Sequence, residues 1–452
     1  MDENGIDGTM TFFEQRGNTT MTITSMKKAI ATMAVMATTM LSTAGGLYIV
    51  SNVDFNTPTL VFRMNATQTE VPTTLFVADK PNIVIRTDEG VSFTNIQGVA
   101  TTYKFNTTGI HTVKVYSPWA GVLLDFSNNP SLVQVPRHRN YNIGKYLQLA
   151  VLPLFKGCPN LTSAAIPDSL GGVKSEMFRY CSNLERVYIP TNGIALGIGN
   201  NAFQACSNLQ SIALSPTTTT IGTYAFDDCV SLESIYIPDS VATIYDYAFR
   251  GCTSLKTIRL SPNLVKIYGG TFRGCSSLTT VEIPEGVTTI GASSLCASGI
   301  EYLDIPSTVT TIEDYAIHSC PNLTSITVPN TVTSLGSQVF YNCGNLTNAV
   351  IGTGVRNLKS SMFWQCYKLE NVSLLGNVTN IGNKAFANCS KLTSLTLPDT
   401  VKTIGSNAFL QNGLNTLEAR GFTVEQVESN RSTWGLRAQC VVTCSDGTTP
   451  QQ

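Results

Sequence analysis

Cysteine is the most reactive residue type in this sequence, and the chain contains 13 of them. Thiolates can hold zinc and thiols can form disulfides, but zinc sites need closely spaced cysteine pairs or histidine partners. Here ten cysteines recur mostly 23 residues apart, and each is followed by a leucine three residues later. The ten are Cys158, Cys181, Cys206, Cys229, Cys252, Cys275, Cys320, Cys343, Cys366 and Cys389.

One thiol per repeat favours a structural role over a metal or disulfide framework. Free cysteine is among the most buried residue types, so we interpret the ten as a ladder of small apolar side chains in an inward turn. Cys296 lies outside this spacing. Cys440 and Cys444 are too far apart to bond in an extended strand but come within reach in a helical turn. Their redox state stays open, and unpaired thiols are favoured.

Other residue patterns do not point to catalysis or to a bound cofactor. The histidines are His111, His138 and His318, and no pair has metal-ligand spacing. The sequence contains no G-x-S-x-G motif and no glycine-rich phosphate loop. Scattered Asp and Glu residues leave a glycan hydrolase as a remote alternative. The sequence predicts a protein that is not an enzyme and that holds no metal or cofactor.

The cysteines belong to a repeat that predicts the fold. Apolar residues follow each cysteine at the third, sixth and eighth positions, and a proline often closes the stretch, as in LESIYIP. A fixed period of this kind predicts a solenoid, because one coil cannot bury its own apolar face and neighbouring coils must stack. The alternation within the stretch predicts a short strand. The position three residues before the cysteine marks twelve coils, at Phe155, Phe178, Phe203, Phe226, Phe249, Phe272, Leu295, Ile317, Phe340, Phe363, Phe386 and Phe409.

Two coils are one residue short, in SLCASGIEYL and in AFLQNGLNTL. Gly299 and Gly413 occupy the tightened turns. We expect glycine there because it adopts backbone conformations that other residues resist.

The pattern A-F-x-x-C-x-x-L-x-x-I-x-I-P, followed by V-x-x-I-G, resembles the BspA-like leucine-rich repeat family. The segment IGTYAFDDCVSLESIYIPDSVATI carries the whole motif, and the resemblance extends from Phe155 to Leu417. It implies a right-handed leucine-rich solenoid displayed on a surface. Members are adhesins that bind host matrix proteins, partner cells or glycans, and others occur on viral particles. The family's repeats offer no catalytic residue to transfer.

The regions flanking the coils do not show the full 23-residue repeat. In residues 51–118, β-rich runs alternate with turn residues, and YKFNTTGIHTVKVY resembles the last hairpin of a PKD or immunoglobulin-like domain. Asp88, Glu89 and Gly90 loosely match an acidic turn of such domains. Residues 119–154 include FSNNPSLVQVP, a half-matching coil that we expect to cap the solenoid, and residues 418–452 form a C-terminal cap and tail.

Residues 1–50 are predicted to be a leader or an assembly anchor. Residues Met26 to Ala44 combine two lysines, an apolar run and small residues typical of a signal-peptidase site. However, 25 residues precede Met26, so a cleaved signal and a retained anchor both stay open. The apolar run is too short for a typical transmembrane span.

Outward positions on the strands offer a place for binding. The residues five and seven positions after each ladder cysteine point outward, and the middle coils carry aromatic and charged side chains there. Exposed Tyr and Arg on a rigid sheet are typical of protein recognition, and small neighbours leave the rings open to sugars. The alternative is that Tyr and Thr simply favour exposed strand positions. The candidate ligand-binding residues are Arg186, Tyr188, Tyr236, Arg259, Glu282, Tyr302 and Asp304.

The predicted fold class is an α/β-type repeat solenoid, β-rich and with about twelve 23-residue coils, preceded by a small all-β sandwich-like domain. The predicted function is non-enzymatic adhesion at a cell surface or outside the cell, through a protein or glycan partner. A net charge of -1 argues against a nucleic-acid partner. The alternative is a fibre or decoration protein of a virion, anchored to other virion proteins through residues 1–50.

Overall fold

The chain divides into two compact units, Met1–Phe55 and Asn56–Gln452. In the first unit, β1 (Met10–Glu14) and β2 (Gly17–Met21) form an antiparallel hairpin. The leader or anchor predicted for residues 1–50, including Met26 to Ala44, otherwise lies outside the described residues. The computed structural model describes residues 10–14, 17–21, 60–68, 73–78, 83–116, 124–135, 154–166, 172–190, 196–445 and 447–449.

The second unit begins with two small sheets. One contains four antiparallel strands in the order β3-β8-β5-β6, and the other has the order β7-β4-β9. Phe62, Ile85, Phe105 and Val113 are fully buried and form much of the core of this region. The strands are β3 (Leu60–Ala66), β4 (Thr73–Ala78), β5 (Val84–Thr87), β6 (Ser92–Thr94), β7 (Ala100–Tyr103), β8 (Gly109–Tyr116) and β9 (Leu124–Asp125).

The first of these sheets continues directly into the solenoid. Strand β10 (Leu132–Val135) pairs antiparallel with β3 on one side and parallel with β11 (Ser163–Ala165) on the other. The result is a mixed seven-stranded sheet that ends at β13 (Arg186–Tyr188). The N-terminal strands and the first coils therefore share one hydrogen-bonded sheet.

Most coils contribute a strand to each of two parallel columns, as the alternating apolar pattern predicts. After β10, β11 and β13, the first column consists of β16 (Ser234–Tyr236), β18 (Thr257–Arg259), β22 (Ser325–Val328), β24 (Asn348–Ile351), β26 (Asn371–Leu374), β28 (Ser394–Thr396) and β30 (Thr416–Glu418). The second column consists of β12 (Gly172–Val173), β14 (Leu196–Ile198), β15 (Thr218–Ile221), β17 (Thr243–Ile244), β19 (Lys266–Ile267), β20 (Thr289–Ile290), β21 (Thr311–Ile312), β23 (Ser334–Leu335), β25 (Asn357–Leu358), β27 (Asn380–Ile381) and β29 (Thr403–Ile404).

The first column is interrupted in the middle of the solenoid. Residues 278–284 and 302–306 do not form strands, although the sequence pattern predicts strands there. These segments flank Gly299 in the short coil. Shortening alone does not explain the interruption, because the other short coil, with Gly413, keeps strand β30.

The interior contains two stacks of phenylalanine rings, and each ring of a stack comes from a different coil. Between Phe155 and Phe272 the ring centroids are 5.1–5.9 Å apart, and between Phe340 and Phe409 they are 5.4–6.0 Å apart. Leu295 and Ile317 fill the gap between the two stacks and are fully buried. The solenoid of about twelve coils is therefore confirmed, with each coil completing the core of its neighbours.

The turn that carries each phenylalanine has a fixed backbone conformation. The residues two positions before and two positions after it adopt a positive φ, as in Tyr247 with φ 57° and Gly251 with φ 69°. The N–H groups of these two residues and of the phenylalanine between them donate to the next coil, for example from Phe249 to the Thr271 carbonyl at 3.0 Å. This turn therefore forms a third side of the coil, which we call the turn face.

The explanation expected for the two glycines in the short coils is wrong. Neither Gly299 nor Gly413 has a positive φ. Instead, a Cβ atom on Gly299 would lie 2.1 Å from the Ser276 carbonyl oxygen, and one on Gly413 would lie 2.4 Å from that of Ser390. Glycine is required because the shortened turn brings the backbone of the preceding coil too close for any side chain.

Both ends of the solenoid are covered. At the N-terminal end, Phe126 stacks on Phe155 at 5.6 Å between centroids. At the C-terminal end, helix α1 (Val424–Trp434) begins with a capping box between Thr423 and Gln426. Its last turn accepts the hydrogen bond that a further coil would accept, from Phe409 N–H to the Trp434 carbonyl at 2.9 Å. Strands β31 (Val441–Cys444) and β32 (Gly447–Thr449) form the final hairpin.

Candidate functional site

The cysteine ladder is a row of hydrogen bonds as well as a row of small buried side chains. Each ladder thiol donates to the carbonyl at the phenylalanine position of the preceding coil, over 2.9–3.1 Å. For example, Cys252 Sγ donates to Phe226 O at 3.1 Å. Burial raises the pKa of Cys275 and Cys366 to about 12, so these thiols are neutral and unreactive.

Three buried polar residues take the place of cysteine in atypical coils. Ser298 and Asn412 occupy it in the two short coils, and Asn129 occupies it in the N-terminal cap. The Ser298 hydroxyl lies 3.5 Å from Cys320 Sγ. The position therefore selects small side chains that can make a hydrogen bond, a requirement that the spacing of cysteines alone does not reveal.

Each of the thirteen cysteines, including Cys440 and Cys444, is buried and lies outside any disulfide. Cys444 lies in strand β31, and Cys440 directly precedes it. Within the described ranges of the chain, no group of three or more His, Cys, Asp or Glu side chains could hold a metal ion.

His111 has structural partners in the N-terminal sheets. Its ring stacks on Phe105 at 4.1 Å between centroids, and its Nε2 lies 2.8 Å from the Thr107 carbonyl oxygen. Nδ1 lies 3.2 Å from Asp88, while Glu89 accepts hydrogen bonds from the Asn106 backbone N–H and the Tyr103 hydroxyl. The Asp88–Glu89 turn therefore uses its carboxylates to hold the loops of this region together. His138 lies outside the described residues.

His318 and Cys296 form a pair that the sequence spacing did not indicate. His318 Nδ1 lies 3.5 Å from Cys296 Sγ. Burial, and to a smaller extent the Arg273 charge, lower the pKa of His318, whereas burial raises the pKa of Cys296. Both side chains are therefore neutral at neutral pH, and the thiol is not the thiolate that nucleophilic catalysis uses.

Four of the seven candidate ligand-binding residues occupy equivalent places in successive coils. Tyr236, Arg259, Glu282 and Asp304 all lie seven residues after the ladder position, apart from the one-residue shortening before Asp304. Tyr236 pairs with Arg259 in the register of β16 and β18. We call the outward side of these coils the strand face.

Tyr236 and Arg259 form an exposed aromatic and cationic platform. The ring of Tyr236 is 58% exposed, and the Arg259 guanidinium lies 4.8 Å from its centroid. Arg259 also donates to the Asp239 carboxylate and, over 3.2 Å, to the Ile237 carbonyl. These contacts fix the guanidinium in place beside the ring.

A cavity of about 440 Å³ lies next to this platform. It opens where the first strand column is interrupted. Its lining includes three carboxylates, one guanidinium and the prolines that close two coils: Arg259, Glu282, Glu285, Asp304, Pro284 and Pro306. Because Arg259 is already paired with Asp239, the free charge in the cavity is negative.

The remaining candidate residues lie farther away or at the edge. Arg186 and Tyr188 belong to β13, two coils before Tyr236. Arg186 is exposed and Tyr188 is half-buried. Tyr302 is 58% exposed and lies two residues before Asp304, which lines the cavity. The structure therefore brings together Arg259, Glu282 and Asp304 with Tyr236 and Tyr302 as neighbours, and leaves Arg186 and Tyr188 apart.

One protein-family model matches the repeat region of the chain. The BspA type leucine rich repeat region matches residues 140–197, 196–324 and 288–416 in six copies. The chain belongs to the BspA-type leucine-rich repeat family. The BspA-type repeat thus covers both the strand face and the turn face described above.

Solved structures include similar leucine-rich repeat chains. A leucine-rich repeat protein from Bacteroides ovatus ATCC 8483 is 26% identical over 69% of this chain and 91% of its own, with a TM-score of 0.53. A leucine rich cell surface protein from Faecalibacterium prausnitzii A2-165 is 27% identical over 61% of this chain and 83% of its own, with a TM-score of 0.40. No curated protein matches the chain.

Proposed function

We propose that this BspA-type protein is a non-enzymatic binding protein displayed at a cell surface or outside the cell, and that its strand face recognises a protein ligand. Family membership supports binding and surface display as the general role. In the described part of the chain, no helix combines the length and hydropathy needed to cross a bilayer. The virion alternative depends on residues 1–50 and stays a prediction.

The observation that carries the proposal is the platform of Tyr236 and Arg259 beside the acidic cavity. Aromatic and arginine side chains dominate the binding energy of protein interfaces when they are rigidly held. Here the Arg259 guanidinium is fixed 4.8 Å from the Tyr236 centroid, so little side-chain freedom is lost on binding.

The charge of the cavity indicates what the ligand presents. Glu282, Glu285 and Asp304 are exposed around the opening and have no ion-pair partner among the described residues. A lysine or arginine of the ligand would find complementary charge there, with its stem against Pro284 and Pro306. A basic side chain is a feature of proteins, so we favour a protein over a glycan as the strand-face ligand.

Selection of peptides on the folded chain tests this proposal. A displayed random peptide library is selected on the wild-type protein, and the enriched peptides are then tested for binding to Tyr236→Ala and to the double variant Glu282→Gln/Asp304→Asn. We expect enriched peptides to contain Lys or Arg and both variants to bind at least about tenfold more weakly. Lys391→Gln, on a later coil, is the control and should bind as the wild type does.

Two results would overturn the proposal. One is enrichment of peptides without a basic residue. The other is unchanged affinity for Tyr236→Ala while the thermal unfolding profile matches that of the wild type.

A further inference from the structure

The turn face carries a second row of aromatic and cationic side chains, in the later coils. We call it the turn-face strip and define it as Arg273, Tyr315, His318, Tyr341, Trp364 and Lys384. We propose that this strip binds an acidic polysaccharide, a chain of sulfated or uronic-acid sugars. The inference goes beyond the strand-face function, because the strip lies on a different side of the coil and favours a ligand of opposite charge.

The aromatic members of the strip contact one another from coil to coil. The ring centroids of Tyr315 and His318 are 5.7 Å apart, those of His318 and Tyr341 are 4.7 Å apart, and those of Tyr341 and Trp364 are 4.9 Å apart. His318, Tyr341 and Trp364 each occupy the position directly after the phenylalanine position of its coil. The rings therefore follow the solenoid axis as a continuous series.

The rings of the strip are stacked differently from the rings of the core. Interior neighbours such as Phe226 and Phe249 are nearly parallel, with an interplanar angle of 2°. In the strip, His318 and Tyr341 are tilted by 51°, and Tyr341 and Trp364 by 40°. Tilted rings do not cover one another completely, so part of each face stays open to a ligand. Tyr315 is 40% exposed, and the other three rings are partly exposed.

Cations lie at both ends of this aromatic series. The Lys384 ammonium lies 4.8 Å from the centroid of the Trp364 ring. Arg273 is exposed at the other end, and its charge acts on both Cys296 and His318. Neither Arg273 nor Lys384 has an ion-pair partner among the residues that the structure describes.

The strip itself contains no carboxylate. The nearest acidic residues by position in the turn are Glu313, whose charge is compensated by an ion pair, and Asp314, whose single negative charge is outnumbered by those of Arg273 and Lys384. Glu313 pairs with Lys266 at 2.8 Å, and Asp314 accepts from the Ser337 backbone N–H at 2.7 Å. The electrostatic potential of the strip therefore favours an anionic ligand, in contrast to the cavity on the strand face.

An acidic polysaccharide fits both properties of the strip. The apolar faces of its sugar rings can pack on the open parts of His318, Tyr341 and Trp364, which recur at the spacing of stacked coils. Its sulfate or carboxylate groups can pair with Arg273 and Lys384. A neutral glycan would leave the cations unpaired, and an acidic peptide has no series of flat rings to place on the aromatic series.

Titration of the full chain with a heparin-derived oligosaccharide tests the inference. Calorimetry compares the wild type with Arg273→Gln/Lys384→Gln, with Trp364→Ala and with the control pair Lys391→Gln/Lys402→Gln. We expect the double charge variant to bind about tenfold more weakly and Trp364→Ala about fivefold more weakly. The control pair should stay within about twofold of the wild type, because it removes the same charge from outside the strip.

Comparison probes separate this inference from the alternatives. Dextran tests whether an uncharged sugar chain suffices, and polyglutamate tests whether any polyanion suffices. Trp364→Phe keeps a ring at the same place and should restore most of the affinity lost in Trp364→Ala, which separates loss of stacking from loss of folding.

The inference would be overturned if the wild type did not bind the heparin fragment, or if the control pair lost as much affinity as the strip variants. It would also be overturned if polyglutamate bound as tightly as the heparin fragment and its binding were insensitive to Trp364→Ala. A dimer seen in sedimentation that Trp364→Ala dissociates would overturn it by assigning the strip to self-association.

Discussion

The strand face and the turn face belong to the same coils but differ in how their side chains are held. On the strand face, Arg259 pairs with Asp239, whose side chain is 59% exposed. On the turn face, Arg250 makes two hydrogen bonds, of 2.6 and 2.8 Å, to Asp227, whose side chain is fully buried. An arginine–aspartate pair is thus solvent-exposed on the strand face, whereas on the turn face its carboxylate is buried inside the coil.

The difference follows from the backbone on each side. Strands alternate inward and outward side chains, so a strand-face residue can be replaced without disturbing the core. The turn uses two residues with positive φ in each coil and directs some polar side chains back into the turn, as Asp227 shows. Substitutions on the strand face can therefore change binding with little effect on stability. On the turn face, some side chains near the surface also stabilise the coil.

Alkaline pH should destabilise the strand face and the turn face together, because the buried thiol ladder belongs to the same coils as both faces. Burial raises the pKa of Cys275 and Cys366 from 9.0 to about 12, so these thiols stay protonated in the folded coils while the unfolded chain ionises. Their contribution to stability is complete below about pH 9 and is lost as the pH rises towards 12, by about 1.4 kcal/mol per pH unit for each thiol.

Urea unfolding in reducing buffer, from about pH 7 to about pH 11, measures this loss. Cys366→Ser removes one such thiol and should make the decline shallower. A free energy of unfolding that stays constant across this range would contradict a buried, neutral ladder.

Removing a core ring should destabilise both faces about equally. Phe249 is fully buried between Phe226 and Phe272, so Phe249→Ala should lower the free energy of unfolding by about 3–5 kcal/mol. Phe249→Leu should lose less, because Leu295 fills the same position naturally. Chemical denaturation checks both variants, and equal losses would show that the cavity left by alanine is not the main cost.

The two arginines give the sharpest contrast between the faces. Arg250→Ala leaves the buried Asp227 carboxylate without its ion-pair partner, although the Gln204 amide still donates to it at 2.8 Å, and should lower the free energy of unfolding by about 3 kcal/mol. Arg259→Ala should leave stability unchanged within error, because both members of its pair are exposed, but should weaken strand-face binding. Matched thermal melts compare them, and equal destabilisation would remove the distinction between the faces.

A smaller effect is expected at the ladder itself. Cys252→Ala removes one of the two donors to the Phe226 carbonyl, which still accepts from the Cys229 N–H at 3.2 Å, and should lower the free energy of unfolding by about 1 kcal/mol. Cys252→Ser keeps a donor and should lose less than the alanine variant, since Ser298 occupies this position in a short coil. If serine destabilised the protein more than alanine, apolar burial rather than the hydrogen bond would explain the ladder.

Much of the fold could be predicted because the coil repeats. The inward positions of phenylalanine, cysteine and leucine are fixed by a period that any stacked coil must obey. The hydrogen bond of each thiol could not be predicted, because it depends on where the preceding coil places its carbonyl. The role of Gly299 was misjudged for the same reason, since its constraint comes from the Ser276 carbonyl of another coil.

The candidate site could be predicted in part. The outward rows follow from the two-residue period of a strand, and they include Tyr236, Arg259 and Asp304. The cavity could not be predicted, because it opens where the strand column is interrupted. The turn-face strip was missed, because Tyr341 and Trp364 occupy a turn position with no two-residue period, which becomes visible only when equivalent positions of all coils are aligned.

Reciprocal binding by two single variants tests the central claim most directly. Tyr236→Ala and Trp364→Ala are each titrated with a selected basic peptide and with the heparin fragment. Two independent faces predict that Tyr236→Ala weakens only peptide binding and that Trp364→Ala weakens only heparin binding. If either variant weakened both, or if neither weakened its own ligand, the account of a strand face and a turn face with separate ligands would be contradicted.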